Sequence, residues 1–97
     1  MADYYLVRLG HGPAWDDALP RRGQAGWDEH AAYMEALVAE GVIVLGGPVG
    51  EGDGDEALLV VQVPDAATIR ARLADDPWTG GVLAILSIEP WSVWLRA

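Results

Sequence analysis

The chain contains no cysteine. That absence excludes disulfide scaffolds, thiolate metal sites and cysteine nucleophiles together. Phenylalanine is missing too, so the aromatic content rests on five tryptophans and three tyrosines. Basic residues are scarce, six against fifteen acidic ones, for a formal charge of −9. This is the wrong sign for sheathing phosphates or lying on anionic lipid, and neither nucleic acid nor a membrane surface is expected as a partner. No apolar run approaches the roughly 20 residues that span a bilayer. Met1-Ala2-Asp3-Tyr4-Tyr5 lacks the basic start and apolar run of a signal peptide, and a cytoplasmic protein is expected. No phosphate-cradling glycine loop, zinc spacing or nucleotide fingerprint occurs. The acidic run from Glu51 to Asp55 lacks the spacing and terminal glutamate of a calcium loop and reads as a solvated turn. No metal or cofactor is expected.

What is present is apolar material, 52% of 97 residues, with no composition break. One domain over residues 1–97 with a single core follows. Surface scales unfavourably at this size, so part of the apolar surface is expected to be buried by self-association.

The organising stretch is Gly26 to Gly41. Trp27, Met34, Leu37 and Val38 recur at three- and four-residue intervals with Ala31 between them, which places them on one stripe of an α-helix. Asp28, Glu29, Glu35 and Glu40 lie off it, and Gly41 terminates it. His30, three residues after Trp27 and four before Met34, falls on the buried stripe. Before this helix, Tyr4 to Leu9 reads as a strand stopped by Gly10-His11-Gly12-Pro13. A long aperiodic loop holding Trp15 and Arg21-Arg22 follows, of the kind that forms binding loops or lids. After the helix, Val42 to Leu45 reads as a strand stopped by Gly46-Gly47-Pro48, and Ala57 to Val63 as its antiparallel partner. Asp65 is placed to cap a short helix with Ala66, Ile69 and Leu73 inward, which ends at Asp76-Pro77. Val82 to Ile88 reads as the last strand, with a break at Pro90 before Trp91 to Leu95 runs along an edge.

The order βαββαβ is that of a ferredoxin-like α+β sheet with two helices on one face. Its strands are apolar at successive positions, Val42 and Val44 against Ile43 and Leu45, and Leu58 and Val60 against Leu59 and Val61. Two helices cover one face. The other calls for a second copy packed sheet to sheet, a homodimer forming a dimeric α/β barrel.

Several segments together resemble the YciI-like, or YCII-related, family. They are the first strand ending near His11-Gly12-Pro13, the helix opening Trp27-Asp28-Glu29-His30, the segment Leu45-Gly46-Gly47-Pro48, and Asp75-Asp76-Pro77-Trp78. The resemblance implies face-to-face ferredoxin-like dimers, and a helix histidine paired with an aspartate before proline, which fall here on His30 and Asp76. One member class dehydrochlorinates a chlorinated aromatic ring, and related barrels include isomerases and cofactor-free monooxygenases. Members with an arginine-proline ahead of the histidine differ from this chain, which has Asp28-Glu29 there. Arg21 or Arg22 is the candidate substitute.

Two readings of His30 stand side by side. As a core residue it would have both ring nitrogens engaged by protein and no cavity beside it. As a general base it would be oriented by Asp76 through one nitrogen and free at the other. Asp76 can equally be a turn residue, with Asp75 the competing carboxylate. His11 reads as a turn residue or a ligand contact. Trp15, Trp27, Tyr33 and Trp78 read as packing or as an aromatic wall for a flat ligand. The favoured function is cofactor-free proton transfer, an isomerisation, elimination or dehydrochlorination, on a small cyclic or aromatic metabolite, in a pocket between the first helix, the sheet and the preceding loop. The alternatives are a non-catalytic dimeric ligand-binding or interaction module, and a cofactor-free monooxygenase.

Overall fold

A computed structural model describes residues 3–52 and 54–97. Met1, Ala2 and Asp53, which belong to the readings of the N-terminal segment and the acidic turn, lie outside them. The chain forms β1 (Tyr4–His11), a 3-10 turn (Arg21–Gly23), α1 (Trp27–Ala39), β2 (Ile43–Pro48), β3 (Ala57–Val61), α2 (Ala66–Ala74) and β4 (Leu83–Trp91). The four strands make one sheet in the order β2-β3-β1-β4, each neighbouring pair antiparallel. This is the ferredoxin-like arrangement, in which each half of the chain contributes one central and one edge strand. None of the helices among the described residues is long and apolar enough to cross a membrane.

Alternation along the strands sends Val7 and Leu9 of β1, Ile43 of β2, and Leu59 and Val61 of β3 to the helix-covered face. There they meet Leu37 of α1 and Ile69 and Leu73 of α2. Val7, Leu37 and Ile69 are fully buried, each worth about 1.5–3 kcal/mol relative to exposure. Asp65 caps α2 as the sequence suggests, its carboxylate accepting from the Thr68 amide at 2.8 Å and the Thr68 hydroxyl at 2.7 Å. These bonds hold its carboxyl below the usual aspartate value. The Thr68 hydroxyl is the larger cause and the Thr68 amide the second. α1 and α2 are joined across their exposed sides by Arg72, which pairs with Glu40 at 2.7 Å, and by the Tyr33 hydroxyl, which donates to the Arg72 carbonyl.

Several boundaries differ from the sequence reading. β1 runs on to His11, because Gly10 and His11 pair with Ala84 and Leu83 of β4. β2 does not stop at Leu45 but continues through Gly46, Gly47 and Pro48, paired with Leu59, Leu58 and Ala57. A Cβ at Gly46 would lie 2.7 Å from Leu59 Cδ2 and 3.0 Å from the Leu58 carbonyl, so glycine here serves close strand approach rather than a turn. Pro90 does not break β4, which ends at Trp91. β4 is an edge strand, where a proline's missing N–H faces away from the ladder. Residues 92–97 form no strand. Val38, assigned to the buried stripe of α1, is half exposed.

The sheet face away from the helices carries Val44, Leu45, Leu86 and Trp91, all substantially exposed, with Leu45 at 63%. Its central charge is Arg8, near Glu56 at 4.0 Å and Glu89 at 3.7 Å.

Candidate functional site

α1 begins where Gly26 adopts a left-handed backbone, φ 81°. A Cβ there would stand 3.3 Å from the Trp78 indole nitrogen. Glycine therefore lets the helix start against Trp78, whose Nε1–H donates to the Ala25 carbonyl at 2.7 Å. Trp78 is itself 1% exposed. This contact ties the start of α1 to the turn after α2 and brings together residues distant in sequence.

In the first turn of α1, His30 lays its ring on Trp78, with centroids 4.0 Å apart and planes 10° from parallel. Trp27 leans on the same histidine at 5.9 Å. His30 Nδ1 lies 2.9 Å from Asp76 Oδ1 and 3.1 Å from Oδ2. A carboxylate only accepts, so the hydrogen of this contact belongs to Nδ1 and the lone pair of the neutral ring to Nε2. Asp76 is buried and held in turn by the Trp78 amide at 3.2 Å and the Thr79 hydroxyl at 3.4 Å. The pair is thus buried, aligned and braced on both sides. Asp75, the competing carboxylate, is exposed and stands at the C-cap of α2.

His30 also lines a cavity of about 360 Å³ between α1, the 3-10 turn and the sheet, near the lower end of the roughly 300–1,000 Å³ of small-molecule pockets. Trp27, Ala31, Met34 and Val38 form its helix wall, and Gly46, Gly47 and Pro48 of β2 the opposite one. Leu9, Ile43, Ala57, Leu59 and Leu83 make an apolar floor, while Arg21, Arg22 and Glu35 supply its charges. Among the described residues, every hydrogen bond of the His30 ring passes through Nδ1. One nitrogen of the ring is held by Asp76, and the residue borders the cavity.

Of the residues singled out from the sequence, His30 and Trp27 line this cavity, and Asp76 and Trp78 lie directly behind His30. Tyr33 is turned toward α2. His11 and Trp15 form a separate stack, centroids 3.7 Å apart and 6° from parallel, with the Arg21 guanidinium 5.4 Å from the Trp15 ring. His11 Nε2 is buried without a hydrogen-bond partner among the described residues. Sequence reasoning missed Gln24, a buried amide that organises the loop ahead of α1. It donates to the Asp16 and Leu19 carbonyls at 2.8 and 2.9 Å and accepts from the Asp16 amide at 2.9 Å. Gly46-Gly47, readable from the sequence as a close approach for a ligand or as a turn into Pro48 and favoured there as the turn, form part of the cavity wall with Pro48. No group of three or more histidine, cysteine or acidic side chains among the described residues is placed to hold a metal ion.

The fold and the site define a small ferredoxin-like α+β domain carrying a buried histidine–aspartate pair at the edge of an apolar cavity. The YCII-related domain family matches residues 11–92, and the chain belongs to that family. No curated protein and no solved structure gives a significant match.

Proposed function

We propose that this protein is a cofactor-free enzyme that moves a proton on a small cyclic or aromatic metabolite, with His30 as base and Asp76 as its orienting partner. The observation that carries the reading is the two-oxygen engagement of Nδ1 by a braced, buried carboxylate beside a cavity. Asp76 keeps the hydrogen on Nδ1 and so presents the Nε2 lone pair. When Nε2 takes a proton from a carbon of the ligand, the positive charge formed on the ring is met at once by Asp76. The electron pair left behind enters a conjugated carbonyl in an isomerisation, and the proton returns at another carbon. In an elimination it expels a leaving group such as chloride, and Nε2 then gives its proton to solvent. No side chain need form a covalent bond to the ligand in either case.

Solvent hydrogen exchange tests this directly, because it reads the proton transfer itself whatever product follows. Cyclic ketones, lactones and phenols are incubated in D₂O with the protein, and loss of ligand C–H signals is followed by NMR. Wild type is expected to accelerate exchange of one ligand class, and His30→Gln to lose about 10²–10⁴-fold of that acceleration. Equal exchange by wild type and a folded His30→Gln would refute the assignment.

The reading also takes the protein as a homodimer joined through the uncovered sheet face. Val44, Leu45, Leu86 and Trp91 supply apolar surface there that neither helix covers. Two such sheets packed face to face bury it on both copies.

A further inference from the structure

The cavity beside His30 also indicates what kind of molecule enters it. All six basic residues are arginines, set among fifteen carboxylates, and most are engaged. Arg8 lies near Glu56 and Glu89, Arg72 pairs with Glu40, Arg96 donates to the Tyr4 hydroxyl, and Arg21 reaches the Gly54 carbonyl at 3.4 Å. Arg22 differs. It lines the cavity, and no carboxylate among the described residues pairs with it. Its guanidinium instead lies 5.7 Å from the centre of the Trp27 ring, the same ring that stands 5.9 Å from His30. Arg22 and His30 therefore stand beside the same indole, which Trp78 also meets at 5.6 Å, at one end of the cavity. Glu35, the cavity's carboxylate, is eight residues beyond Trp27 along α1, about 12 Å further up the axis. Arg22 thus lies at the end of the cavity that holds His30, where the nearby carboxylate, Asp76, is already engaged by the histidine ring and does not line the cavity.

We propose that the ligand of this cavity is a small organic anion, a carboxylate on a planar apolar body, whose charge is received by Arg22. A guanidinium presents a planar fork of donors that fits a carboxylate at two points. Beyond Arg22 the walls are apolar, through Met34, Val38, Ile43 and Leu59. Such a lining suits one delocalised charge on an apolar frame, whereas a phosphate asks for donors to several oxygens. The proposal deepens the reading above by naming the substrate class of the same cavity, and it assigns Arg22 to binding rather than to proton transfer.

The test is binding of benzoate against its neutral isostere benzamide, followed in ¹H–¹⁵N spectra at the Trp27 indole and Arg22 Nε–H signals. Benzoate is expected to shift both signals saturably at millimolar concentration and to bind about ten-fold tighter than benzamide, the effect of one charge-assisted contact. Arg22→Gln should weaken benzoate about ten-fold and leave benzamide unchanged, while Arg70→Gln on the outer face of α2 changes neither. His30→Gln separates the two claims. Benzoate binding retained in that variant supports the anion site whether or not hydrogen exchange depends on His30. Equal affinity for the two probes, no saturable shift with either, or unchanged benzoate binding in Arg22→Gln would overturn the proposal.

Discussion

Replacing His30 by Phe keeps a flat ring to stack on Trp78, which the histidine meets at 4.0 Å, and removes both ring nitrogens, including the one that reaches Asp76. The carboxylate then retains the Trp78 amide and the Thr79 hydroxyl but loses its closest donor. Breaking a buried pair from one side costs about 3–5 kcal/mol. With two donors remaining, the expected loss is nearer about 2–4 kcal/mol. Asp76→Ala approaches from the other side and leaves two donors, His30 Nδ1–H and the Trp78 amide, buried without an acceptor. At about 1–3 kcal/mol each, a loss of similar size follows. The double variant removes donor and acceptor together and should cost less than the sum of the singles, with a coupling of about 1–3 kcal/mol. Urea denaturation of the four proteins measures this through the midpoints, with unchanged slopes confirming that a single transition is compared. In thermal melts each kcal/mol should appear as roughly 4–8 °C for a domain of this size. Losses that add to within about 0.5 kcal/mol would show that the two side chains do not act as a unit. The site would then have no oriented base.

Gly46→Val should destabilise by about 1–3 kcal/mol, because its Cβ starts 2.7 Å from Leu59 Cδ2, and should also weaken probe binding by intruding beside the cavity. Gly47→Ala, whose added Cβ meets nothing within 4 Å, should stay within about 0.5 kcal/mol of wild type in the same denaturation series. The capping carboxylate Asp65 has a folded-state pKa depressed from its ordinary 3.8. Its contribution is therefore fully present above that value and lost as the pH falls below it through the lower folded value. Asp65→Asn should flatten this acid limb in melts recorded as a function of pH, and an unchanged limb would refute the assignment. Leu45→Asp together with Leu86→Glu, placed on the uncovered sheet face, should convert a dimer to a monomer by light scattering coupled to gel filtration. A monomeric wild type would remove the dimer from the proposal.

Local pattern was enough to place the helices and strands, because the periods of 3.6 and 2 are properties of each segment by itself. The stripe of α1, the Asp65 cap, the hairpin of β2 and β3, and the excess of apolar sheet surface over what two helices cover could all be read without a third dimension. Edges and strand ends could not. Pro90 is harmless only because β4 lies at the edge of the sheet, and Gly46-Gly47 continue a strand only because β3 runs alongside them. Val38 follows the helical spacing yet is half exposed, because its part of α1 borders the cavity rather than the core.

The candidate site divides in the same way. His30 stood out as a titratable ring on an apolar helix face, but its partner lies 46 residues away, and only family resemblance pointed to Asp76. The fold brings the two together through Trp78, which fills the space behind His30 and anchors Ala25, so that one buried indole sets the geometry of the pair. The place of Arg22 above Trp27 and the glycine wall of the cavity likewise depend on how the loop, α1 and β2 meet. Sequence alone determined the elements and singled out His30 as a titratable ring on an apolar helix face, since backbone propensity and side-chain type are local. Tertiary structure alone decided which nitrogen is held by Asp76 and which cavity the residue borders, since these are distances between segments that no local period encodes.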